Sequence, residues 1–152
     1  YHKEYPDIEL LIIGSKGWMY KKILRIIKKR KYIRHIGYVD GLEKGALYSL
    51  SEGLIWPSFY EGFGFPLLEA TYYNIPVISS YKTSIPEIIK NQSIYIDPFN
   101  FSEIYQILKI LTEDKELRKK IIEDSKNFNI LNWEKQAKEI INYFKYVKKN
   151  SN

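Results

Sequence analysis

The chain has no cysteine, two histidines and one methionine among its 152 residues. The lack of cysteine excludes disulfides, thiolate metal sites and cysteine nucleophiles together. It fits a reducing compartment, although it does not prove one, since many exported proteins also lack cysteine. No run approaches about 18 consecutive apolar residues, so the sequence predicts no membrane-spanning helix. No signal-peptide pattern opens the chain either.

The composition is globular, with 45% apolar and 28% charged residues, and its main bias is a net charge of +6. A basic surface can face nucleic acid, anionic lipid or phosphorylated ligands. Lysines spread over many segments are also typical of solvated helices. The densest cluster is Lys21–Lys31, in which Ile23, Ile26 and Ile27 follow helical spacing. This spacing is typical of a packed helix whose charges face water.

Short apolar runs alternate with helical patterns along the first two thirds of the chain. Strands are predicted at 8–13, 32–39, 53–56, 75–80 and 93–97, with helices at 18–30, 41–50, 66–73 and from Ser84 between them. The run 8–13 is continuously apolar, which is typical of a parallel strand buried on both faces. Asp40 is predicted to cap the start of the helix at 41–50. After Pro98 three further helices are predicted. The pattern indicates one α/β domain over 1–152, a Rossmann-like parallel sheet with helices on both faces and a helical C-terminus.

Ligands of parallel sheets bind at the carboxyl ends of the strands. This rule places the candidate site in four loops, at 14–17, 37–40, 58–65 and 79–84. The third loop carries Gly-Phe-Gly-Phe-Pro between two glutamates, Glu61 and Glu69. Glycines allow the backbone to approach a ligand closely and to adopt positive φ. Pro66 suits the first turn of the helix that follows.

This loop at a helix start can be interpreted in two ways. The helix N-terminus presents free N–H groups and partial positive charge, which favour a phosphate. A carboxylate such as Glu69 is favourable near that terminus in itself, but it can also accept hydrogen bonds from two vicinal hydroxyls, as on a ribose. Glu61 would then reach a second group of the same ligand. The residues alone leave open a purely structural turn and a sugar-nucleotide site.

The stretch PSFYEGFGFPLLEA, residues 57–70, resembles the signature of a large family of retaining GT-B glycosyltransferases, the group 1 or family 4-like enzymes. That family includes glycogen synthase-like, sucrose synthase-like and bacterial cell-surface mannosyl- and glucosyltransferases. Its motif is Glu, seven residues, Glu, with a Gly-Phe-Gly core. Further stretches resemble the family's in the expected order along essentially the whole chain: LLIIGSKGW, HIGYV, NIPVISS, SIPEII, YIDPFN and NWEKQAKEIINYF.

The resemblance implies the C-terminal, nucleotide-sugar-binding half of a GT-B glycosyltransferase, with a role for each matching position. Glu69 would bind the ribose. Glu61 would contact the donor sugar, by binding a hydroxyl or by stabilising positive charge at the anomeric carbon. The other matching positions are the backbone of Gly62, Phe63, Gly64 and Phe65 at the diphosphate and sugar, Tyr38 and Val39 at the base, and Lys16 near a phosphate or in solvent.

The resemblance also implies the partners. The donor would be a UDP-, GDP- or ADP-sugar and the acceptor a sugar, polysaccharide or lipid-linked molecule, with no metal, other cofactor or nucleic acid. The product would belong to a cell-surface polysaccharide or glycolipid, made in the cytoplasm, with peripheral contact at the inner face of the membrane left open. The family's N-terminal acceptor domain and the first strand–helix unit of its C-terminal domain are not in this sequence. We therefore expect a partial domain that is inactive by itself.

Other interpretations and residues remain. A non-catalytic basic module that binds nucleic acid or anionic membrane is an alternative, and a sugar-nucleotide epimerase or a phosphorylase that shares the fold explains the glutamate loop less well. Ser84 and Glu87 have the spacing of a capping box. The three tryptophans, Trp18, Trp56 and Trp133, are predicted core residues.

Overall fold

The computed structural model describes residues 1–126 and 132–150. Strands and helices alternate up to β5, and helices alone follow. The elements are β1 (Leu10–Ile13), α1 (Tyr20–Lys28), β2 (Ile33–Gly37), α2 (Gly41–Leu50), β3 (Leu54–Trp56), α3 (Phe65–Tyr72), β4 (Val77–Ser80), α4 (Ile85–Ile89), β5 (Ile94–Ile96), α5 (Phe101–Glu113), α6 (Lys115–Lys126) and α7 (Trp133–Asn150). The predicted order of elements is confirmed, and the observed strands are shorter than predicted by one to three residues.

Every strand pair in the described chain is parallel, which confirms the predicted α/β class. The hydrogen bonds divide the strands between two sheets. β1 pairs with β2 in the first sheet. In the second sheet the order is β3-β4-β5, so β4 lies in the middle. The carboxyl ends of β3 and β4 therefore lie side by side, and they carry the loops that lead to α3 and α4.

The second sheet carries the core on both of its faces, because side chains alternate along a strand. On one face, α3 and α4 cover the sheet through a cluster that contains Leu67, Leu68, Val77, Ile85 and Ile89. On the other face, α5 and α6 pack on Ile78 and Ile96 through residues that include Leu111 and Ile121. All four residues of β4 are buried. Helices on both faces of a parallel sheet are thus confirmed, with β4 as the covered central strand.

The first sheet is more exposed than the sequence predicts. Leu10 and Ile13 of β1 are 43% and 44% exposed, so the predicted burial of this strand on both faces is wrong for the described chain. The reason is that β1 pairs with β2 alone, and α1 packs against β2.

The three tryptophans also differ in burial. Trp56 packs against the core. Trp18 and Trp133 are 92% and 78% exposed, and their predicted core positions are wrong. They lie just before α1 and at the start of α7, where neighbouring elements cover little of their rings.

The long C-terminal helix α7 buries none of its residues against the rest of the described chain. Among the described residues, no helix combines the length and the apolar content that crossing a bilayer requires.

Candidate functional site

The loop between the two glutamates ends in a tight helix start. α3 begins at Phe65, one residue before Pro66, and Gly64 at its N-cap has φ 84° and ψ 49°. This left-handed conformation favours glycine, and a Cβ at Gly64 would lie 3.0 Å from Leu67 Cδ1. No side chain caps α3. Pro66 has no N–H, and the Leu67 N–H donates to the Gly64 carbonyl at 3.0 Å. In the described chain the Phe65 N–H is therefore left without a partner at the helix end that carries partial positive charge and attracts anions.

Glu69 lies one turn into α3, and both of its carboxylate oxygens bind α2. Lys44 Nζ lies 2.5 Å from Oε1, and the Tyr48 hydroxyl donates to Oε2 at 3.0 Å. Lys44 and Tyr48 are one helical turn apart on the same face of α2. The Glu69 side chain is 31% exposed, and each carboxylate oxygen can accept a further hydrogen bond. The carboxylate is therefore fixed in place and still able to accept from ligand hydroxyls.

Tyr48 is the fixed hydrogen-bond donor in this arrangement. Burial, and then the neighbouring Glu69 carboxylate, raise the pKa of Tyr48 well above its ordinary value. Its ring stacks on Tyr73 with 5.5 Å between the ring centroids. The phenol therefore stays protonated at neutral pH and holds its orientation toward Glu69.

A groove of about 340 Å³ runs between α2 and α3 beside this carboxylate. Its walls are largely aromatic and include the predicted site residues Phe63, Phe65 and Glu69, together with Lys44, Tyr48 and Tyr72. Trp133, at the start of α7, also lines it. Lys44 and Tyr48 were not predicted. Their spacing places them on one helix face, but nothing local to α2 shows that this face lies against α3.

Glu61 lies outside the groove and is held by two other elements. Its Oε1 accepts a hydrogen bond from Trp56 Nε1 at 2.8 Å. Its backbone N–H donates to Thr83 Oγ1 at 3.0 Å, and its carbonyl accepts from Ser84 Oγ at 3.0 Å. The predicted capping box at Ser84 is therefore wrong. Ser84 makes no side-chain cap on α4, because its hydroxyl is bonded to the Glu61 carbonyl.

The remaining predicted residues lie on the loops of the first sheet. Gly14 N–H donates to the Gly37 carbonyl at 2.7 Å, so the two loops are joined at their start. Tyr38 and Lys16 are exposed, and Val39 is half-buried. The Lys16 ammonium lies 5.8 Å from the centre of the Tyr20 ring. In the described chain no hydrogen bond or ion pair links these residues to Glu61 or Glu69.

Metal ligands do not gather at this site in the part of the chain that the structure describes. No group of three or more His, Cys, Asp or Glu side chains there is arranged to hold an ion.

Comparison with known proteins identifies the family. The sequence model of the family "Glycosyl transferases group 1" matches residues 1–128. The O-antigen chain mannosyltransferase B of Escherichia coli is 31% identical over 150 residues, which cover 94% of this chain and 38% of that protein.

Solved structures agree in fold. The C-terminal domain of LpcC, a group 1 glycosyl transferase from Francisella tularensis, superposes with a TM-score of 0.72 at 26% identity over 86% of this chain and 74% of that one. HepE from Anabaena, solved with UDP-glucose, gives a TM-score of 0.69 at 16% identity over 79% of this chain and 35% of that one.

The fold is therefore that of the C-terminal domain of GT-B glycosyltransferases. The chain belongs to the group 1 glycosyl transferase family. It spans less than two fifths of the length of the mannosyltransferase it matches.

Proposed function

We propose that this chain provides the donor-binding wall of a retaining glycosyltransferase, in which Glu69 binds the ribose hydroxyls of a nucleotide sugar. The observation that carries the proposal is the joint placement of Glu69 and the uncapped start of α3. The ribose hydroxyls of one ligand would bind Glu69, and its phosphate would lie at the start of α3, about one helical turn away. In this arrangement Gly62, Phe63, Gly64 and Phe65 present the backbone to the diphosphate.

Glu61 would contact the transferred sugar. Its Oε2 has no partner among the described residues, while Trp56 holds Oε1. A carboxylate fixed in this way can accept from a sugar hydroxyl, and it can stabilise the positive charge that develops at the anomeric carbon of an oxocarbenium-like transition state. Tyr38 and Val39 would meet the base, and Lys16 would approach a phosphate. None of these groups requires a metal ion.

The proposed acceptor is a sugar, a polysaccharide or a lipid-linked chain at the bacterial cell surface, with transfer on the cytoplasmic side. The E. coli relative is an O-antigen chain mannosyltransferase, which supports a mannosyl donor, and the structural neighbour HepE was solved with UDP-glucose, which keeps a glucosyl donor as the alternative. UDP-, GDP- and ADP-sugars are the candidate donors, and Tyr38 and Val39 would meet the base through their backbone atoms.

The test is nucleotide binding to purified protein. UDP, GDP and ADP are titrated by calorimetry into wild type, Glu69→Gln and the matched control Glu123→Gln, an exposed glutamate of α6. We expect Glu69→Gln to bind the preferred nucleotide at least about tenfold more weakly, since a charge-assisted hydrogen bond contributes about 1.5–3 kcal/mol. The loss should shrink for the 2′,3′-dideoxy nucleotide. Equal affinity of wild type and Glu69→Gln would remove the ribose role.

A second candidate function, contact with an anionic membrane surface, is favoured by the distribution of charge. Residues 10–39 hold nine of the 24 Lys and Arg and none of the 18 Asp and Glu, so the rest of the chain has a net charge of −3. On α1 and just before it, Trp18, Met19, Ile23 and Ile26 are exposed beside the cations. A bilayer interface accepts both, with apolar side chains inserted and cations at the headgroups, whereas nucleic acid would explain only the cations.

Vesicle sedimentation tests this surface. A Lys21→Gln, Lys22→Gln, Arg25→Gln variant is compared with a Lys145→Gln, Lys148→Gln, Lys149→Gln control on α7, using phosphatidylglycerol and phosphatidylcholine vesicles. We expect binding to the anionic vesicles alone, lost only in the α1 variant and weakened by salt. Equal binding by both variants, or binding to duplex DNA without binding to vesicles, would rule out the membrane interpretation.

A further inference from the structure

We propose that Thr83 and Ser84, in the loop between β4 and α4, are positioning residues that hold Glu61 in place for the donor sugar. The inference rests on the proposed function, because Glu61 meets a sugar only if this chain binds a nucleotide sugar. It gives specific roles to two residues of the 79–84 loop, which the sequence placed near the site and in which it predicted a helix cap at Ser84.

The two side chains bind the N–H and the carbonyl of the same residue, Glu61. Thr83 Oγ1 accepts from the Glu61 N–H at 3.0 Å, and Ser84 Oγ donates to the Glu61 carbonyl at 3.0 Å. A third bond of the same kind lies nearer the sheet, where Ser80 Oγ donates to the Ser58 carbonyl at 2.5 Å. Beyond the ends of β3 and β4, side-chain oxygens thus take the place of the backbone partners that a longer strand pair would supply.

Thr83 is itself held in an unfavourable backbone conformation. Its φ is 52°, a left-handed value that is rare for a β-branched residue. Such residues persist where their surroundings impose the conformation, and they are frequent at functional sites. Here the fully buried Ser80 and Ile85 fix the loop on either side. The strained turn places a hydroxyl against the Glu61 N–H.

A fixed backbone matters because it orients the carboxylate. With the main chain of Glu61 held by two bonds, Trp56 Nε1 can bind Oε1 at 2.8 Å and leave Oε2 for a ligand. Electrostatic stabilisation of a developing charge requires such preorganisation, and a misplacement of about 1 Å can reduce a rate about a hundredfold.

The two glutamates have separate supports, which makes the inference specific. Glu69 is held by Lys44 and Tyr48 from α2, and neither side chain bonds to Thr83 or Ser84. Loss of the Thr83 or Ser84 hydroxyl should therefore weaken the contact with the sugar and leave binding of the nucleotide intact.

Three variants test the assignment. Thr83→Val keeps the β-branched shape and removes the acceptor, Ser84→Ala removes the donor, and Thr83→Ser keeps the hydroxyl as the matched control. The first measurement needs no ligand. It is hydrogen exchange of the Trp56 indole N–H by NMR, with the signal assigned from Trp56→Phe. We expect exchange to accelerate at least about fivefold in Thr83→Val and Ser84→Ala, and to stay unchanged in Thr83→Ser. Unchanged exchange in all three variants would overturn the proposal.

The second measurement compares UDP with UDP-glucose and GDP with GDP-mannose by calorimetry. The ratio of nucleotide-sugar affinity to nucleotide affinity measures what the sugar adds to binding. We expect this ratio to fall about tenfold in Thr83→Val, with the affinity for the nucleotide itself unchanged. Equal losses for nucleotide and nucleotide sugar would also overturn the positioning role. If wild type bound no nucleotide at all, the proposed function would fail while the indole measurement still decided whether Thr83 and Ser84 hold Glu61.

Discussion

The two carboxylates of the candidate site, Glu61 and Glu69, are held by different kinds of contact. Glu69 has its charge partnered directly, by an ammonium and a phenol from α2. Glu61 is held mainly through its backbone, by two hydroxyls from the β4–α4 loop. A ligand hydroxyl at Glu69 would share the carboxylate with Lys44, whereas Oε2 of Glu61 has no partner among the described residues. We therefore expect substitutions around Glu69 to change nucleotide affinity, and substitutions around Glu61 to change the handling of the sugar.

Tyr48→Phe removes the phenol that donates to Glu69 Oε2 and keeps the ring that stacks on Tyr73. Nucleotide affinity should fall about three- to tenfold, as expected for one hydrogen bond of about 0.5–1.5 kcal/mol. Because the pKa of Tyr48 is raised, the ratio of wild-type to variant affinity should stay constant between about pH 6 and 9. Tyr73→Phe, in the same groove, is the control for titrations by calorimetry. An equal loss in both variants would contradict a specific role for Tyr48.

Gly64→Ala tests the helix start. The residue sits at φ 84°, and an added Cβ would lie 3.0 Å from Leu67 Cδ1. The left-handed conformation costs an L-residue about 1–2 kcal/mol, so unfolding in urea should shift by at least that free energy. Gly62→Ala is the control, because open space surrounds its position and its φ is not positive. Similar stability of both variants would show that α3 can start without the left-handed turn.

Among the helices, α2 links the loop after the first sheet to Glu69 of α3. It begins directly after the Tyr38–Val39 loop and carries Lys44 and Tyr48 to Glu69. Its start is fixed by Asp40, whose Oδ1 accepts from the N–H groups of Leu42 at 3.0 Å and Glu43 at 2.9 Å. The Asp40 N–H in turn donates to Glu43 Oε2, so the capping box is complete. The Asp40 cap was predicted from the sequence and is confirmed.

Asp40→Ala should therefore destabilise the protein by about 1 kcal/mol, the usual cost of a lost N-cap. It should also weaken nucleotide binding modestly, because fraying of the first turn of α2 loosens Lys44. Asp40→Ser, which keeps a capping oxygen, serves as the control. The measurements are urea unfolding by circular dichroism and calorimetric titration. Full stability of Asp40→Ala would show that packing alone holds this helix start.

At the scale of the whole molecule, contacts between distant parts of the sequence join the start of the chain to α5. Tyr5 donates to Glu113 at 2.6 Å, and Glu4 accepts from Tyr105 and, at 3.1 Å, from Lys109. The hydrogen bond from Tyr105, and then that from Lys109, lower the pKa of Glu4 below its ordinary value near 4.5. These polar contacts are exposed, so they locate the first residues more than they stabilise the fold.

The lowered pKa of Glu4 predicts that its contribution to folding stability decreases in acid. The ionised Glu4 stabilises the folded state at pH values above its unfolded pKa, and this contribution is lost as the pH falls through the lower folded pKa. Wild type should therefore exceed Glu4→Gln in urea midpoint near neutral pH, and the difference should shrink as the pH falls below the ordinary pKa near 4.5 and vanish once the pH is below the lowered folded pKa. Glu123→Gln, on α6, should show no such dependence. A difference that does not shrink as the pH falls below the ordinary pKa of glutamate would contradict the role of the ionised form.

The sequence predicted those parts of the fold that depend on neighbouring residues. Hydrophobic periodicity located the twelve elements of the described chain, and the glycine and proline spacing located the turn before α3. The prediction from sequence was wrong where the burial of a side chain depends on packing between distant segments. Leu10, Ile13, Trp18 and Trp133 are apolar residues that the described chain leaves exposed. Periodicity shows which face of an element is apolar, but not whether another element covers that face.

The sequence by itself determined the parallel α/β class, the Asp40 cap and the placement of Glu61 and Glu69 on either side of a glycine turn, because each depends on short-range spacing. The tertiary structure alone decided what holds the two glutamates. The partners of Glu69 lie 21 and 25 residues away, and those of the Glu61 backbone lie 22 and 23 residues away. Ser84 could cap its own helix or bind Glu61, and the adjacent packing of β3 and β4 brought the Glu61 carbonyl within its reach.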